Sequence, residues 1–478
     1  MEGIVFVPGI FGSELFYNPD GGGAADQIWP PGPLDVFGYL ETSLLSDPKR
    51  VSVGGVVDYV IGPCGKAYID IETDLRDISN KVNNTAAGPY LAAPYDWRVN
   101  LFESMNAVES KIAAWVAQAA PTEITIVCHS MGGLVVRLLL ESKYRTALAA
   151  QRPQWLNLTK RVLFACTPHL GAPEALVFAL GLGGDVTLSA DDVRTLSANP
   201  DFASAYQLLP SSSRSVLFNA NGNAFIAYDS PDVAAALGLS PANLEASKLA
   251  RSALDLAHKP DDIEYFFVYG TGQTTDEAVE VEGLALAGAS VLSDDLGDGT
   301  VPCWSITEAA SQHSPPIVTW NGPGEHLGLL STNAFRQELY NYFGLGRAAP
   351  MLALAKPGVV VSTNKRHYKQ GDTIQVLMVP DVPTESLVGK VALMRVGADG
   401  KLADTPTLEK PVTVQGGPIR QQSIAMIAPA VAGAYRVVFE GDDATHMSPP
   451  GGTGWFVITA QGDRPVRGLK PRARRRGA

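Results

Sequence analysis

Through the first 345 residues, short apolar runs alternate with segments whose apolar positions recur at helical spacing. Ile4–Val7, Glu123–Cys128, Arg161–Ala165, Glu264–Tyr269 and Ile317–Trp320 read as strands. Phe102–Ala119, Gly132–Tyr144 and Thr332–Phe343 read as helices. Strands separated by helices predict an α/β body, a parallel sheet with helices on both faces. Two stretches break the rhythm, near 17–82 and 174–260. Both are far longer than ordinary connections, which predicts lids or caps over a site.

The pattern changes at Gly346-Arg347-Ala348-Ala349-Pro350, and residues 346–355 read as a linker. Beyond it, Val359–Ser362, Thr373–Val379, Lys390–Val396, Ser423–Ile427, Tyr435–Glu440 and Thr453–Ile458 are short β-like runs separated by Gly-rich turns. Six such runs within 356–460 predict a small all-β, immunoglobulin-like sandwich. The last segment, 461–478, is polar and Arg-rich, and reads as a disordered tail.

Charge narrows the function. The chain carries a net −12, and its last fifteen residues hold six Arg, one Lys and no acid, which leaves the rest at −19. So acidic a body argues against nucleic-acid binding, which needs a cationic face for the phosphates. The tail has the composition for weak contact with an anionic surface, and equally for a solvated tail with no partner. No run of eighteen apolar residues and no leader pattern appears, so a cytoplasmic location is expected. Cys64, Cys128, Cys166 and Cys303 are far apart and match no metal-ligand spacing; they read as small buried hydrophobes.

The strongest chemical signal is Glu123-Ile-Thr-Ile-Val-Cys128-His129-Ser130-Met131-Gly132-Gly133. An apolar strand runs into Ser130 and a helix pattern follows at once, the layout of a nucleophile elbow. Such a turn lifts the serine oxygen above the sheet and points the first helical N–H groups at the reacting centre. Cys128 stands where the general pattern has Gly. A serine needs a base, and the base needs an orienting acid. In α/β-hydrolases they follow in the order Ser, acid, His. Asp298, between Gly297 and Gly299, suits the acid, with Asp294 and Asp295 as nearby competitors. In isolation the segment reads first as an Asp-Gly turn. His326, in the loop after the last predicted strand, suits the base. His129 adjoins the nucleophile and is expected to point away from it. The loop Pro8-Gly9-Ile10 after the first strand offers the N–H of Ile10 as an oxyanion donor beside that of Met131.

Several motifs occur together. They are Val7-Pro8-Gly9 with Gly12, Ala93-Pro94-Tyr95-Asp96-Trp97-Arg98, His129-Ser130-Met131-Gly132-Gly133, Leu208-Leu209-Pro210, Tyr269-Gly270-Thr271-Gly272, Gly297-Asp298-Gly299-Thr300-Val301 and Glu325-His326. In this order, over about residues 4–345, the chain resembles the lecithin:cholesterol acyltransferase family. The resemblance implies an α/β-hydrolase fold across 1–345, with Ser130, Asp298 and His326 as catalytic residues. It also implies an oxyanion hole from the N–H groups of Ile10 and Met131. The expected activity is acyl hydrolysis or O-acyl transfer on lipid esters, lipase- or phospholipase-like, with no metal or organic cofactor. The alternatives are a small-ester carboxylesterase without interfacial action and a catalytically silent fold used as a binding module. The chain lacks the cysteine pair that closes the lid of the animal lipoprotein enzyme, and the β-rich C-terminal part falls outside the resemblance. The partner of that part is not readable from the sequence.

Overall fold

Ile4, Val5, Phe6 and Val7 are all buried, on both faces of their strand. A run apolar at every position belongs in a sheet covered on both sides, and that is where it lies. Six parallel strands form the central sheet in the order Val318–Pro323, Glu264–Thr271, Thr159–Ala165, Glu123–His129, Glu2–Val7, Tyr90–Ala92. The computed structural model describes residues 1–18, 26–30, 47–57, 59–60, 65–66, 68–183, 190–211, 213–346, 359–363, 367–380, 384–395, 402–441 and 455–459. The basic tail, all of the linker beyond Gly346, Leu34–Phe37 and Cys64 therefore lie outside the described residues.

Five of the six strands carry the expected cores, with ends shifted by up to three residues. The three-residue edge strand Tyr90–Ala92 was not foreseen; it is too short to show a pattern. Helix Leu101–Ala119 starts where the Asn100 side chain accepts from the N–H of Phe102. It buries Leu101, Met105, Val108, Ile112 and Val116, one stripe at helical spacing. The segment expected as a single helix from Gly132 is α-helical over Met131–Arg137 and widens to a π-helical turn over Leu138–Lys143. There Arg137 and Glu141 pair within the core.

The two interruptions have structure of their own. The first holds a three-stranded antiparallel sheet, in the order Asp26–Trp29, Ser13–Tyr17, Val51–Val56, followed by helix Ile69–Val82. The second includes helices Glu174–Ala179, Ala190–Ala198, Ser204–Gln207, Pro231–Leu237 and Pro241–Ala253. Leu176, Val177, Leu180, Tyr206, Leu209 and Leu217 form a core inside it, completed by Val279 and Val281 from the hairpin Gln273–Glu282/Ala285–Gly297.

Among the described residues from 359 onward the elements are all strands, in two sheets. One orders Val359–Thr363, Thr373–Pro380 and Gln422–Ile427. The other orders His367–Lys369, Trp455–Thr459, Gly433–Gly441, Thr384–Arg395 and Leu408–Ile419. Leu408–Ile419 escaped the pattern because Pro411 and Gly416-Gly417 read as turn residues. It is an edge strand, where Pro and Gly are tolerated. Among the described residues no helix is long and apolar enough to cross a membrane.

Candidate active site

Parallel strands deliver their C-terminal ends to one edge of the sheet, and the loops that follow them meet there. Ser130 follows strand Glu123–His129 and precedes helix Met131–Arg137. Its backbone sits at φ 52° and ψ −129°, a conformation L-residues rarely adopt. The Ser130 N–H donates to the carbonyl of Ala165 at 2.8 Å, which ties the turn to the neighbouring strand. A Cβ at Gly132 would lie 2.3 Å from the carbonyl oxygen of Pro8. Only glycine lets the new helix approach the first-strand loop so closely.

Ser130, His326 and Asp298 form one hydrogen-bonded chain. His326 Nε2 lies 2.8 Å from Ser130 Oγ, and its Nδ1 lies 2.9 Å from Asp298 Oδ2. Asp298 is 1 % exposed. Its Oδ1 accepts from the N–H groups of Thr300 at 3.0 Å and Val301 at 2.7 Å. Its carbonyl accepts from the His326 N–H at 2.8 Å. Burial alone would lower the His326 pKa. The charge and hydrogen bond of Asp298, with Glu174 beyond, outweigh it and hold His326 above its ordinary 6.5. The arrangement can strip a proton from Ser130 and stabilise the imidazolium that results. The side chains of Asp294 and Asp295 lie outside the described residues.

His129 makes no hydrogen bond with Ser130, yet it is part of the site. Its Nδ1 is 2.7 Å from the Tyr68 hydroxyl, and its Nε2 is 3.0 Å from the carbonyl oxygen of His326. A carbonyl only accepts, so Nε2 carries the proton and Nδ1 accepts from Tyr68. The Tyr68 oxygen in turn accepts from the N–H of Gly9 at 3.0 Å. This chain links the loop after the first strand to the loop that carries His326. Burial, and then the neighbouring His326, push the His129 pKa down to about 3, so it stays neutral. The role was hidden because its partners, Tyr68 and the His326 carbonyl, come from loops far away in the chain. Tyr68 was missed altogether: nothing in the pattern at residue 68 separates it from other aromatic residues.

The Pro94–Arg98 motif braces the same loop. Tyr95 donates to the carbonyl of Pro8 at 3.0 Å, and its N–H donates to Ser13 Oγ at 3.0 Å. Trp97 packs on Phe11, with ring centroids 4.3 Å apart. Ile10 and Phe11 form part of the wall of a cavity of about 260 Å³ that opens onto Ser130 and His326. Trp29, Phe178, Ala205 and Leu208 supply more of its apolar wall. A side pocket of about 50 Å³ continues past Phe178 toward Val193, Leu196 and Phe202. Phe178 and Leu208 from the second long stretch face the cavity, whereas Leu176, Val177, Leu180 and Leu209 pack in the core of the cap.

Among the described residues, His129, Cys166 and His326 are the one group of ligand-type side chains gathered closely enough for a metal ion, with atoms within 4.8 Å of one another. The nitrogens of both histidines are already engaged. Burial and Asp298 push the Cys166 thiol well above its ordinary value, which disfavours the thiolate a metal would need. The cluster reads as a hydrogen-bonded network. Cys166, expected as an inert small hydrophobe, thus lies beside the acid of the Ser–His–Asp chain.

Residues 68–235 match the family model of lecithin:cholesterol acyltransferase. The family resemblance read from the sequence therefore holds over this stretch, which includes Ser130 and stops before Asp298 and His326. It supports an acyl-transferring or hydrolytic enzyme in general. The chain is also similar to the structure of the lin2722 gene product of Listeria innocua, at 10 % identity and TM-score 0.32, covering 73 % of this chain and 96 % of that one. A chitin binding domain from Burkholderia pseudomallei matches at 9 % identity and TM-score 0.16, over 20 % of this chain and 57 % of that one. Among curated proteins none matches significantly.

Proposed function

We propose that this chain is a serine acyl hydrolase or O-acyltransferase that acts on lipid esters through an acyl-enzyme on Ser130. The observation that carries the reading is the hydrogen-bonded chain Ser130–His326–Asp298 opening onto an apolar cavity. The six-stranded parallel sheet with its strand–serine–helix turn supports an α/β-hydrolase fold for residues 1–345. The two packed sheets beyond residue 359 support an immunoglobulin-like sandwich as a separate domain.

In this reading Ser130 Oγ attacks the ester carbonyl while His326 Nε2 takes its proton. Asp298, held by two backbone N–H groups, keeps the Nδ1–H tautomer and stabilises the imidazolium. The tetrahedral oxyanion is met by the N–H groups of Ile10 and Met131; losing one such donor costs about 3 kcal/mol of transition-state stabilisation. His326 then gives the proton to the leaving alcohol. Water or a second alcohol, activated by the same nitrogen, takes the acyl group and frees Ser130.

The cavity lining supports acyl chains as cargo, because its wall is largely apolar and burying that surface against a chain is favourable. A second reading, a small-ester hydrolase with a fixed cap, is favoured by the packing of Leu176, Val177 and Leu180 into the core of the cap. Mass spectrometry of products from mixed phospholipid and diacylglycerol vesicles, with and without a long-chain alcohol, separates the readings. Released fatty acid or a new long-chain ester supports lipid acyl chemistry. Turnover of short soluble esters alone supports the second reading.

A further inference from the structure

One carboxyl in the cavity wall takes no part in the reaction above. Glu174 opens helix Glu174–Ala179 and lines the same cavity as Ser130, His326 and Thr300. The Thr300 side chain and His326 share that wall with it and act on its carboxyl electrostatically. The rest of the wall is apolar or aromatic apart from Tyr68 and His129, and among the described residues no lysine or arginine lines it. A charged lipid headgroup entering this cavity therefore meets one ionisable carboxyl and no cation.

We propose that Glu174 selects the polar end of the substrate, admitting a phosphodiester beside the scissile ester only while its carboxyl is protonated and admitting an uncharged hydroxyl-bearing ester in either state. This rests on the Ser130 reading and deepens it by naming the substrate class. A protonated carboxyl donates a hydrogen bond to a phosphate or hydroxyl oxygen. An ionised one accepts from a hydroxyl but repels a phosphate at close range in a low-dielectric wall.

The surroundings set where the change falls. Burial and the nearby Asp276 push the Glu174 pKa up, and Asp298 adds to this, while His326 and the polar Thr300 side chain pull it down; the result is about 8. The helix packs against strand Gln273–Glu282 and helices Ala190–Ala198 and Ser204–Gln207. From these, Asp276 is the described charge that acts on Glu174, while Arg194 is exposed and Ser204–Gln207 carries no acid or base beyond Tyr206. Of the other titratable groups in the cavity wall, His129 stays neutral and burial keeps Tyr68 protonated. His326 titrates, but it serves every ester alike and cancels in a ratio of two substrates.

The test uses the full chain and two esters with the same acyl groups, dihexanoylglycerol and dihexanoyl phosphatidylglycerol. The ratio of their kcat/KM values is followed from about pH 6 to about pH 9.5, since kcat/KM reports the free enzyme. The ratio should rise on the order of tenfold in favour of the uncharged ester, with its midpoint near the Glu174 value. Glu174→Gln, a permanent neutral donor, should hold the ratio at its low-pH level throughout. Asp276→Asn should move the midpoint down and Thr300→Val should move it up. A flat ratio in the native enzyme, or an unchanged inflection in Glu174→Gln, overturns the inference alone. Failure to turn over either ester overturns the lipid reading as well, and failure of Ser130 to react with a fluorophosphonate overturns the serine mechanism itself.

Discussion

The two parts of this chain bury polar groups very differently. In the mixed part, Ser130, His129, Asp298, Glu325, Thr167 and His169 are all buried. Ser130 and His129 lie at the end of strand Glu123–His129, Thr167 and His169 follow strand Thr159–Ala165, Glu325 follows strand Val318–Pro323, and Asp298 follows the hairpin strand Ala285–Gly297. Among the described residues beyond 359, Arg436 is the one buried charged side chain, at 9 % exposure, and the core there, built on Tyr435, Val437 and Phe439 of the same strand, is apolar. Burying a polar group costs stability unless it is hydrogen-bonded or paired. A fold that does so repeatedly at one sheet edge is maintaining chemistry there, and a fold that does not is maintaining packing. Arg436 also feels the charge of the mixed part. Burial lowers its pKa and the Glu325 carboxylate raises it in return, and Glu325 is the residue before His326.

The largest expected effect lies wholly in the mixed part. Ser130→Ala should lower kcat/KM by about 10⁴–10⁶-fold, and adding His326→Ala should cost little more, because such residues act as a unit. Steady-state kinetics on a short soluble ester checks this. A double variant far worse than the single one would break the picture of one cooperative site.

Next come the residues that join the loops. Tyr68→Phe removes the acceptor of the Gly9 N–H and the donor to His129 Nδ1. Each buried group left without a partner costs about 1–3 kcal/mol. If that cost falls on positioning, kcat should drop about 10–100-fold with KM little changed. A fall in stability with kcat intact would mean that the Tyr68–His129 chain only supports the fold.

The boundary between the parts gives a smaller effect. We propose that residues from 350 onward are dispensable for the chemistry. A chain ending at Leu345 should react with a fluorophosphonate within about tenfold of the full chain's rate, about 1.4 kcal/mol of barrier. A greater loss in a well-folded truncation would mean that Arg436, through Glu325, sets the position of His326.

Titration gives the finest probe. His326 must be neutral to accept the Ser130 proton, and its pKa is held above 6.5. Activity should therefore be full above that raised value and lost as pH falls through it. Asp298→Asn removes the charge responsible, so the residual activity should extend to lower pH. A kcat/KM profile whose acidic limb does not move in Asp298→Asn would contradict the electrostatic account.

Much of this was legible in the residues, and the gaps have physical causes. The parallel strands announced themselves because burial on both faces demands unbroken apolar runs, as in Ile4–Val7. The order Ser130, Asp298, His326 was readable because glycines and turns flank each member. The geometry at Asp298 also matches the expectation of an acid held by backbone N–H groups. Two edge strands were not readable, Tyr90–Ala92 because it is short and Leu408–Ile419 because it contains turn-forming residues. Contacts between distant loops were not readable either. Tyr68 meets His129 across 61 residues, and nothing local at either position records the partner. Glu174 was not singled out from the sequence, and the cavity is what distinguishes it.

The central claim is that Ser130 forms the covalent acyl-enzyme. The most direct measurement is peptide mass spectrometry of the full chain after reaction with a fluorophosphonate, with Ser130→Ala and His326→Ala treated alongside. The account predicts one adduct, on Ser130, absent from Ser130→Ala and formed far more slowly in His326→Ala. An adduct on another serine while Ser130 stays bare, or ester turnover by a chain whose Ser130 never reacts, would contradict it.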